Sequence, residues 1–434
     1  MKDKTIDAKS ALFNKPPDAI DRTDAVHVGA ANESSPRYAG WRIVAAAIVG
    51  LLFSPGPMIL LLIGTLAPQF ERTYGWSIGQ VMFGLTLFGI ASLMAAPVAG
   101  RLTDRLGVRR VMLPSILLAA ACLAAFGSLV STLAGFYAVC FLFGFLGYGA
   151  QSLTYNKLIT EWFDERRGLA IGAASAGLGL GYVTLPGVIG LSLRHYGASG
   201  TFYVMAAILV VLPFGVNFFC AVSPGTKRAG RNSTGIEGMT LSAAVRTPAF
   251  WLLALAILVT SAVVTGVVPQ ISKLTRDLGY PATTVTLIST GFGVVTLTVR
   301  LAIGWLLDRA FAPRIGALAF LLTGVGCALV ASCVYVKLPL FALVIGVAFV
   351  GIGYGTESDL VSYLTSKYFG KKHFGAIYGC LIILFLSGVS IGPLMYGSAR
   401  SMFGSYGHVF MFAAGMSVVS ALTMMFLPPY QKRA

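Results

Sequence analysis

One charged residue, Arg300, lies inside a long apolar segment of this chain. The segment runs from about Val285 to Leu307, which matches the roughly 20 residues that a helix needs to cross a bilayer. A lone arginine at that depth costs from about 3 to more than 10 kcal/mol, depending on the method. It is retained where it faces a wet cavity or a buried anion, and its guanidinium matches the two oxygens of a carboxylate. Arg300 is therefore the first candidate for binding an organic anion.

Two acidic residues, Glu357 and Asp359, lie inside another apolar segment. A carboxyl group removed from water can exchange protons near neutral pH, so both are candidate proton-coupling residues. The alternative is a structural ion pair between Arg300 and one of these acids. The two residues are separated by about 200° on a helix, so we do not expect both to face one cavity.

Further polar residues share faces or repeat positions with these groups. Tyr148, Gln151 and Tyr155 follow three-and-four spacing and predict one polar helix face, which either lines a pore or bonds to another helix. Thr296 shares the helix face of Arg300. Ser387 supplies a hydroxyl in the eleventh apolar segment, and Tyr354 repeats Tyr148. The predicted substrate-binding set is Arg300, Tyr148, Gln151, Tyr155, Thr296, Tyr354 and Ser387.

The elements that must position these residues are membrane-spanning helices. The 434-residue chain is 56% hydrophobic and only 11% charged, against about 25% charged in soluble domains. The long apolar runs have no period-2 alternation, which predicts an all-α polytopic membrane protein. We expect twelve spans near 42–68, 79–100, 110–130, 134–160, 168–193, 200–222, 249–270, 284–306, 315–335, 339–364, 375–398 and 407–428.

The positive charge is distributed as in a membrane protein. With the N-terminus placed in the cytoplasm, 24 of the 32 Lys and Arg residues fall on that side and six on the other. The positive-inside rule therefore predicts that both termini are cytoplasmic and that the cell (inner) membrane is crossed many times. The net charge of +16 comes from short clusters between spans, so we expect no nucleic-acid partner.

The two halves of the chain repeat each other. The segment 147–152 (GYGAQS) recurs at 353–358 (GYGTES), and 100–105 (GRLTDR) recurs at 304–309 (GWLLDR). Such in-register matches predict two pseudo-symmetric six-helix bundles with a substrate site between them. The predicted organisation is a disordered tail 1–36, a first bundle 37–222, a cytoplasmic linker 223–247, a second bundle 248–428 and a tail 429–434.

The segment 100–110 (GRLTDRLGVRR) resembles the signature loop of the major facilitator superfamily. The resemblance implies the major facilitator fold and a gating role for Asp104 and Arg105, with Asp308 as the repeat of Asp104. The segment 38–44 (YAGWRIV), and Arg300 placed eight residues before Asp308, resemble the bacterial monocarboxylate and oxalate/formate antiporter families. Those antiporters also carry a lysine in helix 11, which is absent between 376 and 392 here.

The sequence thus predicts a secondary-active transporter of small organic anions, most favourably a monocarboxylate moved with a proton by alternating access. An oxalate/formate-type exchanger is the alternative, and a multidrug exporter fits a basic cavity less well. No catalytic constellation, phosphate loop or metal-ligand spacing is found in the chain. We therefore expect no enzyme activity, no cofactor and no metal. The expected partners are the anion, protons and lipid, and a monomer is the superfamily's usual state.

Overall fold

The computed structural model describes residues 33–35, 37–128, 132–221, 238–336, 338–403 and 405–430. The predicted tail 1–36 and linker 223–247 lie mostly outside these ranges, so their predicted character stays untested. Of the linker, residues 238–247 are described, and they include a short helix, Leu241–Val245.

The described residues from Ala39 onward form a bundle of long helices, named here α1 to α12 in chain order. α1 has two pieces, Ala39–Leu52 and Pro55–Tyr74, and so does α4, Leu133–Leu146 and Ser152–Trp162. α5 and α6 are the two parts of the run Arg167–Cys220, divided at Gly197. The others are α2 Ile78–Leu106, α3 Val108–Ser128, α7 Pro248–Asp277, α8 Ala282–Leu307, α9 Ala312–Val336, α10 Leu340–Tyr368, α11 Phe374–Phe403 and α12 Gly407–Met425.

Among the described residues, eleven apolar stretches are long enough to cross a membrane, and one of them contains two spans. The stretch Arg167–Cys220 has 54 residues, or about 80 Å of helix, far more than the roughly 30 Å hydrocarbon core. It is interrupted at Gly197, whose φ of 69° is the left-handed conformation that glycine tolerates.

The contacts of this stretch show that the chain reverses there. Gly177 packs against α1 near Ile48, Phe202 stacks on Phe70 near the other end of α1, and Asn217 returns to donate to the Ala46 carbonyl. The all-α fold of twelve spans in two six-helix bundles is confirmed.

Two helices of the first bundle are broken at the same level. α4 passes through a 3₁₀ turn, Gly147–Ala150, and Gln151 is extended. α1 is interrupted at 53–54, and its second piece begins with Pro55 and Gly56, which face Gly147 and Gln151. The predicted single polar face of Tyr148, Gln151 and Tyr155 is therefore wrong, because three-and-four spacing defines a face only on a continuous helix.

The two bundles contact each other at one end, which we call the linker side because it also carries residues 238–247. There α2 packs on α11 through Gly100 and Gly375, and α5 packs on α8 through Gly168 and Gly304. In each pair, a Cβ atom on either glycine would collide with the carbonyl oxygen of the other. Only glycine permits backbones to approach this closely.

The tightest described glycine contacts between the bundles lie on the linker side. On α5, Gly172 packs on the Arg300 carbonyl and Gly179 meets Leu297 of α8 at 3.5 Å, but Gly187 has no described neighbour within 4 Å of a built Cβ. The structure is thus closed on the linker side.

This packing predicts that Gly172→Ala destabilises the protein. The added methyl group must push α5 away from the α8 backbone, and overpacking of this kind costs about 1–3 kcal/mol. The melting temperature of the purified protein should fall. The matched variant Gly187→Ala adds the same methyl group on the same helix without a described neighbour, so its melting temperature should not fall. Equal loss in both variants would contradict the interface.

Candidate functional site

Arg300 lies in α8, where its carbonyl packs on Gly172 of α5, and it is only 8% exposed. Its Nη1 donates to Asp359 Oδ1 at 3.2 Å and to Ser358 Oγ at 3.0 Å. Both partners belong to α10. Of the two acids that the sequence offered as partners of Arg300, the described hydrogen bonds select Asp359.

Helix geometry explains this choice. Gly355 and Gly351 of α10 pack against α8, next to Val299 and Val295. Asp359 lies one turn beyond Gly355 and continues that face. Glu357 instead lies one turn beyond Gly353, which packs against α9 and α7.

A residue of the other bundle completes the ion pair. Ser175 of α5 is 2% exposed, and its Oγ donates to Asp359 Oδ1 at 2.7 Å. The same carboxylate oxygen thus accepts from both bundles. Ser175 was not among the residues predicted from the sequence. The available signal was its position three residues after Gly172, on the face of α5 that meets the second bundle.

Glu357 is buried and has one oxygen without a partner among the described residues. It is 3% exposed, and its Oε2 has no hydrogen-bond partner among the residues that the structure describes. Arg300 and Asp359 are close enough to interact with it electrostatically. Glu357 is therefore near the ion pair but not part of it.

Three of the predicted hydroxyl residues lie on helices of the second bundle. Tyr354 packs on Phe292, with 5.6 Å between ring centroids, and it interacts electrostatically with Arg300. Thr296 and Ser387 each donate to a carbonyl of their own helix, Phe292 and Ile383 respectively. Tyr354 is thus brought to the ion pair, and the other two hydroxyls satisfy the backbone.

The three predicted residues of α4 point to different surroundings. Tyr148 is buried and close to Tyr378 of α11, and Gln151 lies against Gly56 of α1. The Tyr155 hydroxyl is wedged against Gly50 and close to Asn217, between α1 and α6. The structure therefore separates Tyr155 from the ion pair. The next residue, Asn156, donates across the bundles to Tyr378 Oη at 3.4 Å.

Two aspartates hold the linker side closed in related ways. Asp104 accepts from the backbone N–H groups of Gly375 and Ala376 at the start of α11, at 3.0 and 2.7 Å. Asp308 accepts from Gly168 and Leu169 at the start of α5, at 2.7 and 2.9 Å. Each carboxylate therefore occupies a helix N-terminus of the opposite bundle, where backbone N–H groups and the helix dipole favour an anion.

The two contacts differ in one respect. Lys157 of α4 forms an ion pair with Asp104 at 2.5 Å, so this lysine is held inside the bundle and does not extend into water. Among the described ion pairs, none involves Asp308. Arg105, the third predicted gating residue, is exposed.

This arrangement can exchange one anion for another. Arg300 has a fixed counter-ion on its own bundle, and the opposite bundle reaches that counter-ion through a single described hydrogen bond. A carboxylate can replace Asp359 on the guanidinium only when Asp359 becomes neutral, because one buried cation cannot compensate two buried anions. Among the described residues, no cluster of three His, Cys, Asp or Glu side chains could hold a metal ion.

Comparison with known proteins gives a family match over most of the chain. The model of the Major Facilitator Superfamily matches residues 43–272 and 253–434. An uncharacterised MFS-type transporter of Escherichia coli, YhjX, is 26% identical over 349 residues, which cover 75% of this chain and 84% of that protein.

The similar proteins include transporters whose names give a substrate class, and solved structures with a similar fold. Human monocarboxylate transporter 11 is 27% identical over 90% of this chain and 83% of its own length. The oxalate:formate antiporter of Oxalobacter formigenes is 27% identical over 43% of this chain and 44% of its own length. The proton:xylose symporter XylE superposes with a TM-score of 0.69 at 15% identity, over 90% of this chain and 96% of that one.

The ion pair predicts a selective rescue by charge removal. Arg300→Gln leaves the Asp359 carboxylate buried without its cation, which costs about 3–5 kcal/mol when a buried pair is broken. The melting temperature should fall. Adding Asp359→Asn removes the uncompensated charge and should restore most of the loss. Adding Glu357→Gln instead should restore less, and equal rescue by both would contradict the pairing.

Proposed function

The chain belongs to the Major Facilitator Superfamily, and from this we propose that it is a secondary-active transporter of small organic anions, most favourably a monocarboxylate moved together with a proton. The observation that carries the proposal is the buried Arg300, placed between the bundles with one displaceable counter-ion. A monocarboxylate relative supports the same substrate class.

A single guanidinium favours a single carboxylate. Arg300 is the one cation of the described ion pairs at this level, since Lys157 is engaged by Asp104 on the linker side. On α11, where the antiporter family carries its second cation, Ser387 donates to its own helix. Tyr354, Tyr148 and Gln151 are the proposed contacts for the rest of the substrate. Thr296 and Ser387 would contribute only after leaving their backbone partners.

Proton coupling follows from the charge balance at Arg300. If the substrate carboxylate takes the place of Asp359, the buried Asp359 must bind a proton, because an unpaired carboxylate is too costly there. Substrate and proton would then enter together and leave together. Glu357 is the second candidate proton site, because it is buried beside the pair and has an unpartnered oxygen.

We further propose that the linker side faces the cytoplasm and that the protein works as a monomer in the cell (inner) membrane. The excess of positive charge on that side supports the orientation. In the present state, Asp104 and Asp308 keep the cytoplasmic ends together, and releasing both helix N-termini would open the site to the cell interior. Arg105 is proposed to assist this gate by electrostatics alone.

Anion exchange of the oxalate/formate type is the alternative function. The antiporter relative supports it over less than half of either chain. An exchanger would release the first anion from Arg300 and return with a second anion bound to the same guanidinium, with no net proton movement. The absence of a lysine in the 376–392 stretch of α11 disfavours a dicarboxylate.

Uptake by proteoliposomes tests the proposal. The substrates are radiolabelled formate, acetate, pyruvate, lactate and oxalate, each with and without an inward proton gradient. We expect gradient-stimulated uptake of a monocarboxylate, with strong loss in Arg300→Lys because an ammonium cannot reproduce the two-donor fork. Uptake that needs an internal anion and ignores the gradient would favour exchange. Full activity in Arg300→Lys would contradict an Arg300 substrate site.

A second measurement distinguishes the roles of Asp359 and Glu357 in proton coupling. Asp359→Asn leaves Arg300 without its counter-ion. The amide at position 359 can neither bind nor release a proton. We expect it to abolish gradient stimulation while substrate exchange across the membrane continues. Glu357→Gln, which changes an equally buried carboxyl outside the pair, should retain gradient stimulation. The reverse result would transfer the proton role to Glu357.

A further inference from the structure

A polar stripe runs down one face of α10 from the ion pair to the linker side. Asp359, Ser362 and Ser366 follow three-and-four spacing, so they lie on one face. They are 2%, 0% and 5% exposed. The stripe meets α5 at both ends, since Ser175 donates to Asp359 and Arg167 Nη1 donates to Ser366 Oγ at 2.7 Å.

Ser362 differs from the other buried hydroxyls of the same helix. Thr356, Thr365 and Ser366 each donate to a backbone carbonyl one turn earlier. The Ser362 hydroxyl has no hydrogen-bond partner among the described residues, although it is fully buried. The same is true of Asp359 Oδ2, the carboxylate oxygen that does not contact Arg300.

Two unpartnered oxygens one helical turn apart suit a bridging water. Residues at this spacing have Cβ atoms about 5–6 Å apart, and a water about 2.8 Å from each oxygen spans that separation. Leaving buried polar atoms unpaired is costly, and ordered water is their usual partner when protein groups do not reach them.

We propose that Asp359 and Ser362 hold a water between them, and that this water is the first step of a proton route along α10 to the linker side. The inference rests on the proposed proton coupling. It adds a path and a positioning residue, Ser362, that the transport scheme does not require.

The transfer balances without any other reactant. The neutral Asp359 carboxyl gives its proton to the water, which passes one to the Ser362 hydroxyl. The proton of that hydroxyl moves past Ser366 to bulk water on the linker side, which accepts it. The carboxylate left behind pairs again with Arg300. The other ionisable groups near Asp359 are Glu357 on its own helix and Tyr378 on α11.

The lower end of the route is closed in this state. Arg167 donates to the Ser366 hydroxyl and forms an ion pair with Asp164 at 2.7 Å. The positive charge of Arg167 therefore opposes the passage of a proton beyond Ser366. Separating α5 from α10 removes Arg167 and Ser175 together. Proton release to the linker side therefore requires the same motion that opens the substrate site.

The internal repeat shows why only one bundle has such a route. Ser362 corresponds to Asn156, which also has a buried unpartnered oxygen among the described residues. Asp359, however, corresponds to Leu153. The first bundle thus has a polar residue, Asn156, at the position of Ser362, but an apolar residue, Leu153, at the position of the proton donor Asp359.

Ser362→Ala tests the route in proteoliposomes with radiolabelled pyruvate or lactate, whichever the wild type takes up faster. We expect gradient-driven uptake to fall about tenfold, the effect of one lost hydrogen bond in the rate-limiting step. Exchange of labelled for unlabelled substrate, which needs no proton release, should stay within about twofold of wild type. Ser362→Thr, which keeps the hydroxyl, should retain gradient-driven uptake.

Ser417→Ala is the matched control, because Ser417 is an equally buried serine of α12 whose hydroxyl is bonded to the Ala413 carbonyl. It should change neither rate. Unchanged gradient-driven uptake in Ser362→Ala, or equal loss of uptake and exchange, would overturn the route while leaving the proposed function intact. Wild-type protein without gradient stimulation would overturn the proton coupling itself, and the route with it.

Discussion

The buried pair of Arg300 and Asp359 is the interaction on which the rest of the structure depends. Neither charge is stable at this depth alone, and removing one partner of such a pair costs about 3–5 kcal/mol. The pair belongs to the second bundle, yet Ser175 of the first bundle donates to the same carboxylate oxygen. Any motion that separates the bundles therefore changes the hydrogen bonding of the charged site, and any change of its charge alters the bundle contact.

On the linker side, a second set of contacts joins the two bundles. Glycines let α2 meet α11 and α5 meet α8 at backbone distance, and an aspartate at each crossing binds the N-terminus of the opposing helix. These contacts are polar and directional, and apolar residues of both bundles pack beside them, including Ala96 of α2 and Ile377 of α11. The breaks in α1 and α4 have no counterpart in α7 and α10, which are described as single helices, so the two halves are unequal at the level of the site.

Much of the fold could be predicted from the sequence, because spans and repeats are encoded in local composition. The twelve spans follow from apolar length, and the six-plus-six division follows from segments such as 147–152 and 353–358. The break in α4 could not be predicted in this way. Its Gly-Tyr-Gly sequence recurs in α10, which stays helical, so these three residues alone do not determine the break.

The sequence was enough to predict the main cation of the site, but not the partners to which that cation and its counter-ion are hydrogen-bonded. Arg300 stands out because charge inside an apolar run is rare. Its choice of Asp359 over Glu357 depends on which face of α10 meets α8, and this rotation is set by glycine contacts between helices. Ser175 belongs to a small-residue helix that contacts its own bundle on one face and the other half of the chain on another. Such cross-bundle contacts leave no periodic signal within one segment.

The most direct test of the central claim is to count protons taken up when a carboxylate binds. Calorimetric titration of the purified protein with pyruvate or lactate, repeated in buffers of different ionisation enthalpy, gives that number. The account predicts about one proton per bound carboxylate, since Asp359 must be neutralised as the substrate takes its place on Arg300. It also predicts that Asp359→Asn takes up no proton when the carboxylate binds. Binding without proton uptake by the wild-type protein would contradict the exchange of Asp359 for substrate.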